Sequence, residues 1–144
     1  MMKSHRRIAL DARRSGQGLV EFAIVVSLLM LLLLGVVEFA RAWNLHQVMT
    51  DAAREAARTA VVGTTPPPTS DIYAVVNSAL ARAQFDSTVE TTTITPDPIS
   101  DATGTPITVA IAYPYEMRLI RGLLRWTTGQ SQFTLRTSAT MRKE

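Results

Sequence analysis

The chain has 144 residues, the length of one domain, and 47% of them are hydrophobic, which excludes a protein that is disordered throughout. It contains no cysteine, so disulfides, thiolate metal sites and cysteine nucleophiles are excluded. The formal net charge is +3, but the excess lies in a short N-terminal segment and not on a folded face, so we expect no nucleic-acid partner.

Residues 1–16 form a basic segment, which we interpret as a cytoplasmic leader. Five cations lie here against one anion, Asp11, whereas residues 38–57 hold only Arg41 and Arg54. Positive charge stays on the cytoplasmic side of a membrane helix, so the bias predicts a cytoplasmic N-terminus and an extracytoplasmic C-terminal region. The orienting cations are Lys3, Arg6, Arg7, Arg13 and Arg14.

Residues 18–37 read GLVEFAIVVSLLMLLLLGVV, an apolar run interrupted only by Glu21. A helix of this length spans about 30 Å, the thickness of a bilayer core. The run is longer than the core of a secretory signal peptide and is not followed by a small-x-small cleavage site. We therefore predict a single transmembrane helix over residues 17–37.

Glu21 is the exceptional residue of this run. A carboxylate near the centre of a membrane helix costs about 2.5–3.5 kcal/mol, and less toward an end, so Glu21 either snorkels to the headgroups or has a function. Gly16 ends the basic segment, Glu21 stands five positions after it and the aromatic Phe22 follows. This arrangement resembles the processing motif of type IV pilin-like proteins, which implies that a prepilin peptidase cleaves after Gly16 and leaves Gln17 as the N-terminus.

The wider pattern resembles the TadE-like pseudopilins of the tight-adherence (Tad, type IVc-like) pilus system. The resemblance is carried by GQGLVEFA from Gly16, by GVVEFAR after the apolar run and by DAAREAAR from Asp51. Ser27 departs from the family, which often has proline there, so a proline kink is not expected. The resemblance implies a processed pseudopilin that acts in pilus assembly with other pilus subunits and the assembly platform.

Two alternatives remain open at this point. One is a permanently anchored pilus assembly or secretion factor that never enters a filament. The other is an unprocessed single-pass protein that binds an extracytoplasmic ligand.

The helical period continues after the membrane, so residues 38–62 are predicted to extend the same helix from about Gly18 to Val62. Small and apolar residues recur every three or four positions from Leu45 to Val61 and form one stripe. This stripe either receives a partner helix or packs against the chain's own globular part. Gly63 and the prolines after it predict the helix end. The candidate packing residues are Ala52, Ala53, Ala56, Ala57 and Ala60.

Residues 63–144 are predicted to form a small extracytoplasmic region with one helix and three strands. An amphipathic pattern predicts the helix over residues 70–84, and alternation predicts strands over residues 88–95, 106–115 and 132–141. The region is short for an independent core, so we expect an antiparallel sheet to pack on the long helix. The predicted fold class is α+β.

The segment between the last two predicted strands combines apolar and basic residues. Leu119, Ile120, Leu123 and Leu124 alternate with Arg118, Arg121 and Arg125. Two interpretations fit this pattern: a cationic docking patch, or a short helix that covers the core and leaves its arginines in water.

No arrangement of residues predicts catalysis. His5 lies in the basic segment and His46 stands alone on the long helix, so neither a metal pair nor a Ser/His/Asp set is available. No phosphate-binding or dinucleotide glycine motif occurs. We therefore predict a structural or binding protein that is not an enzyme and needs no cofactor or metal.

Overall fold

The computed structural model describes residues 4–62, 67–96, 99 and 102–143, with side chains from residue 16 onward except that of Leu123. The predicted α+β class is confirmed: a long helix is followed by a shorter helix and a three-stranded antiparallel sheet. In chain order the elements are α1 (Ser4–Val61), α2 (Thr69–Arg82), β1 (Thr91–Thr95), β2 (Pro106–Glu116), α3 (Arg121–Thr128) and β3 (Gln132–Arg142).

Helix α1 runs without a break for 58 residues, which corresponds to a length of about 87 Å. It begins before the predicted start at Gly18, because good helix formers such as Ala, Leu and Arg fill the preceding segment. Ser27 has the backbone N–H that a proline lacks, so α1 continues through this position, and its Oγ also donates a hydrogen bond of 2.7 Å to the carbonyl oxygen of Ala23. Of the described residues, only α1 forms a helix long and apolar enough to cross a membrane.

The sheet has the order β1-β2-β3, with both pairs antiparallel. Val109 lies opposite Ile94 of β1 and Ala139 of β3, so the central strand β2 fixes the register of both edges. Alternate residues of β2 are buried on one face of the sheet. These residues are Ile107, Val109, Ile111, Tyr113 and Tyr115.

The hydrophobic core lies between this sheet face, α2 and the extramembrane half of α1. Helix α2 contributes Ile72, Val76 and Leu80, which are fully buried. The alanines of α1 have small side chains, so the neighbouring elements approach the α1 backbone closely. A hydrogen bond of 3.2 Å between the hydroxyls of Thr50 and Thr137 also joins α1 to β3.

Local polar groups shift two predicted boundaries. The predicted strand start at Thr88 is wrong, because the Asp86 carboxylate accepts hydrogen bonds from the Thr88 amide and hydroxyl and holds this segment in a turn. The predicted end of the second helix at Gln84 is also too late, since Gln84 has a left-handed φ of 61° and α2 ends at Arg82. The predicted helix end at Gly63 lies outside the described residues.

We predict that residues 38–144 fold without the membrane segment, whereas residues 63–144 do not, because the sheet loses the α1 stripe that buries it. Hydrogen exchange of the β2 and β3 amides in the two fragments is the measurement. Strong protection in the longer fragment and its loss in the shorter one are expected. Equal protection in both would show that α1 is dispensable to the core.

Candidate functional site

Glu38 is the buried carboxylate of the structure. It is the first residue after the apolar run and only 1% of its surface is exposed. Among the described residues, Lys143 is the other buried charged side chain. Since burying a charge is costly unless it is hydrogen-bonded, the partners of Glu38 are central to the stability of this region.

Two groups from the end of β2 and the segment after it bind the Glu38 carboxylate. The Tyr115 hydroxyl donates a hydrogen bond of 2.8 Å to Oε2, and the Leu119 backbone N–H donates to Oε1. Both carboxylate oxygens are therefore satisfied, as an ionised carboxylate requires. We call Glu38, Tyr115 and Leu119 the Glu38 junction; it ties α1 to the connection between β2 and α3.

The junction also controls the protonation of its tyrosine. Burial, the hydrogen bond to Glu38 and the negative charge of Glu38 raise the pKa of Tyr115 to about 12, against the opposing charges of Arg41 and Arg118. The Tyr115 hydroxyl therefore remains a hydrogen-bond donor at neutral pH. Its contribution to stability is fully present below its ordinary pKa of about 10 and is lost as the pH rises toward 12.

A cavity of about 220 Å³ lies beside the junction. Two cations, Arg41 and Arg118, line it together with two carboxylates, Asp86 and Glu116. Hydrogen bonds from the hydroxyl and amide of Thr88 hold the pKa of Asp86 below its usual value. Because the four charges balance, the cavity has no strong preference for an anion or a cation.

The residues of the predicted processing motif lie at the other end of the apolar run. Gly16, Gln17, Glu21 and Phe22 are on α1, and all four are exposed. Glu21 is 17 positions before Glu38, which places the two carboxylates about 26 Å apart along the helix. The structure therefore does not bring the processing motif and the Glu38 junction together. The side chains of the leader cations lie outside the described part of the chain.

The alanine stripe of α1 lies inside the chain's own core. Each of its five candidate packing residues is at most 2% exposed, covered by α2 and the sheet. His46 stacks on Trp43 with ring centroids 6.3 Å apart. The described residues contain no group of three or more His, Cys, Asp or Glu side chains that could hold a metal ion.

Sequence reasoning missed Glu38 although two signals pointed to it. The tetrapeptide Val-Glu-Phe-Ala occurs at residues 20–23 and again at residues 37–40, so a second carboxylate marks the other end of the apolar run. Glu38 also precedes Leu45 by seven positions, which puts it on the same helix face as the buried stripe. A carboxylate on a buried face requires a partner, even when the sequence does not reveal which one.

We predict that Glu38→Gln lowers the free energy of unfolding of the extramembrane part by about 1.5–3 kcal/mol. A glutamine oxygen can still accept from the Leu119 amide, and its NH₂ group can donate to the Tyr115 hydroxyl, but both charge-assisted hydrogen bonds then become weaker neutral ones. Urea unfolding of the full chain in detergent micelles measures the change. Glu55→Gln, on an exposed position of the same helix, is the matched control and should change stability by less than about 0.5 kcal/mol.

Ultraviolet titration of tyrosinate gives an independent measure of the same junction. Glu38→Gln removes the negative charge beside Tyr115, so the titration near pH 12 should move to lower pH, and Tyr115→Phe should abolish it. Glu116→Gln removes an exposed carboxylate next to Tyr115 in the sequence and serves as the control. A Tyr115 titration that is unchanged in Glu38→Gln would contradict the coupling.

Comparison with known proteins identifies one part of the chain. Residues 16–58 match the family model described as TadE-like protein. No curated protein and no solved structure gives a significant match to the chain. The matched segment includes the apolar run and Glu38, whereas Tyr115 and Leu119 lie outside it. The resemblance predicted from the sequence is thus confirmed over residues 16–58, and this TadE-like segment indicates a protein related to the Tad pilus.

Proposed function

We propose that the chain is a prepilin-peptidase-processed pseudopilin or minor pilin that acts in assembly of a bacterial Tad-type pilus. The main support is the register of Gly16, Glu21 and Phe22 at the start of an exposed apolar helix. The family match begins at residue 16, the residue that would end the leader. The protein would lie in the cytoplasmic membrane with its N-terminus inside, because cations are concentrated before the apolar run.

Packing within the chain does not account for Gly16. Glycine inside a helix is less stable than alanine by about 0.5–1 kcal/mol. Apart from residue 16, its chain neighbours and the backbone of its own helix, no atom lies within 4 Å of the position that a Cβ would occupy there, so packing in the chain does not require a glycine. Gly18 and Gly35 are equally open, so the support for cleavage after Gly16 is its position five residues before Glu21.

Cleavage after Gly16 would create a charge partner for Glu21. The new α-amino group of Gln17 lies four positions before Glu21, which is one helical turn and the same face. An opposite charge at the same membrane depth offsets the desolvation of a carboxylate. Within one chain the pair closes the first turn; between two chains it sets the axial register of one helix against the other. We favour the second arrangement, by resemblance to pilins.

A permanently anchored assembly factor is the second candidate. The burial of the alanine stripe favours it, because a stripe that is buried by α2 and the sheet is not free to receive a partner helix. An unprocessed binding protein is the third, with the cavity beside the junction as its site. Leader cleavage separates the third candidate from the first two, and recovery in sheared pili separates the second from the first.

We predict cleavage between Gly16 and Gln17 in cells that retain the peptidase. N-terminal sequencing should read Gln-Gly-Leu-Val-Glu, and the intact mass should equal that of residues 17–144. A bulky Gly16→Leu variant should stay uncleaved, whereas Gly35→Leu, in the same helix beyond the motif, should be processed normally. Met1 retained in most of the mature wild-type protein would contradict the proposal.

We also predict that Glu21→Gln leaves membrane insertion and cleavage largely intact but impairs association with other pilus components. The substitution preserves size and hydrogen bonding and removes only the charge that would pair with the Gln17 amine of a neighbouring chain. Crosslinking in cells measures association, and a peptidase assay measures cleavage. Glu55→Gln is the control in the extramembrane part of α1. Wild-type crosslinking and piliation in Glu21→Gln would mean that the carboxylate only snorkels.

A further inference from the structure

We propose that residues 117–128, here called the interfacial segment, dock on the headgroup surface of the extracytoplasmic leaflet. Trp126 and Leu119 would contact the acyl boundary, and the arginines would bind lipid phosphates. The proposal rests on the membrane insertion of residues 18–37 and adds a second, peripheral membrane contact. The occupant of this surface is therefore the bilayer that holds α1.

The Glu38 junction fixes the depth of the segment. If residues 18–37 fill the hydrocarbon core, Glu38 lies at its outer edge, where the headgroups begin. The Leu119 amide donates directly to the Glu38 carboxylate, so the Leu119 backbone lies within one side-chain length of that edge.

The direction of β2 leads to the same placement. Thr137, which lies opposite Ile111 of β2, is hydrogen-bonded to Thr50 of α1, and Tyr115 is bonded to Glu38, twelve positions earlier on α1. Strand β2 therefore runs along α1 toward the membrane. The connection that follows β2 lies at the membrane-proximal end of the extramembrane part.

Two large apolar residues of the segment are not used by the core. Trp126 is 84% exposed and Leu119 is 47% exposed, and neither belongs to the hydrophobic core. Met117, which precedes α3, packs against the core, so the segment is attached there and exposes Leu119 and Trp126. Tryptophan at the boundary between apolar chains and water is stabilised by both environments, so an interfacial position suits Trp126.

Aromatic residues of α1 lie at a similar depth. Phe39 is 67% exposed and Trp43 is 56% exposed, and their rings stack with centroids 6.1 Å apart. They follow Glu38 within five positions, or about 8 Å along the helix. Together with Trp126 they form the aromatic belt expected at a membrane interface.

The charges of the segment match a phosphate surface. Arg118, Arg121 and Arg125 are exposed, and Arg121 is bonded only loosely to the exposed carboxylate of Glu116, at 3.5 Å. Arg121 and Arg125 are four positions apart on α3 and so share one face. Arginines near a membrane surface bind anionic headgroups while their apolar neighbours enter the acyl boundary.

Trp126 is the natural probe, because the chain has only one other tryptophan, Trp43. The Trp43→Phe full chain is inserted into vesicles of phosphatidylcholine and phosphatidylglycerol in equal amounts. Trp126 fluorescence is then measured with acrylamide in the water and with lipids brominated near the headgroup or deep in the chain. We expect protection from acrylamide and stronger quenching by the shallow bromines than by the deep ones.

Charge variants test the arginines separately. Arg125→Gln should weaken docking about fivefold, read as the fraction of Trp126 that the shallow bromines quench. Arg54→Gln, on an exposed position of α1 about 24 Å beyond Glu38, should leave this fraction unchanged. For the chain that retains all its arginines, vesicles of phosphatidylcholine alone should give a smaller quenched fraction of Trp126. Equal quenching in Arg125→Gln and Arg54→Gln would overturn the assignment of Arg125.

The outcomes separate this proposal from the proposed function. A chain that fails to float with the vesicles after alkaline extraction overturns membrane insertion and the docking with it. If the chain floats but acrylamide still quenches Trp126, docking alone is overturned. Protection from acrylamide without quenching by either brominated lipid shows that protein, such as a second copy, covers Trp126, which also overturns the lipid assignment.

Discussion

The placement of the sheet relative to the apolar run of α1 depends on one carboxylate. Glu38 is 1% exposed, and both of its oxygens accept hydrogen bonds from the end of β2 and the residues after it. A buried charge that loses one hydrogen-bond partner is strongly destabilising, so the two hydrogen bonds of Glu38 stabilise the fold together. Glu38 stands directly after the apolar run. Its hydrogen bonds hold β2 along α1 and hold the interfacial segment at the proposed bilayer surface.

Helix α1 has one continuous backbone, but its side chains have two different surroundings. Over residues 16–37 its side chains are mostly exposed and apolar, whereas from Leu45 to Val61 one face is buried by α2 and the sheet. Because this face of the sheet packs on α1, the helix is a structural part of the hydrophobic core. Any axial movement of α1 would therefore carry the sheet, and the Glu38 junction, with it.

Local sequence patterns predicted the helices and strands of the fold. They did not predict the site, because its residues are far apart in the sequence. The alternation from Ile107 to Tyr115 requires one buried sheet face, and the strand lies where that pattern predicts it. The partners of Glu38 are 77 and 81 residues away, so no periodicity in the sequence could reveal them. The arginine-rich connection illustrates the same limit, because its composition fits both a covering helix and a docking patch, and only the structure shows that Met117 packs against the core while Trp126 is exposed.

The two Val-Glu-Phe-Ala segments show how one local sequence acquires two roles. Seventeen positions rotate the helix by about 260°, so Glu21 and Glu38 lie on different faces. The face of Glu38 meets the sheet, and its charge is satisfied within the chain. The face of Glu21 is exposed, and none of the described side chains is hydrogen-bonded to it. A carboxylate in an apolar run without a hydrogen-bond partner is unfavourable in an isolated chain, whereas the hydrogen-bonded carboxylate of Glu38 is not. That asymmetry is the physical reason to assign Glu38 to the stability of the subunit and to propose Glu21 for contacts between subunits.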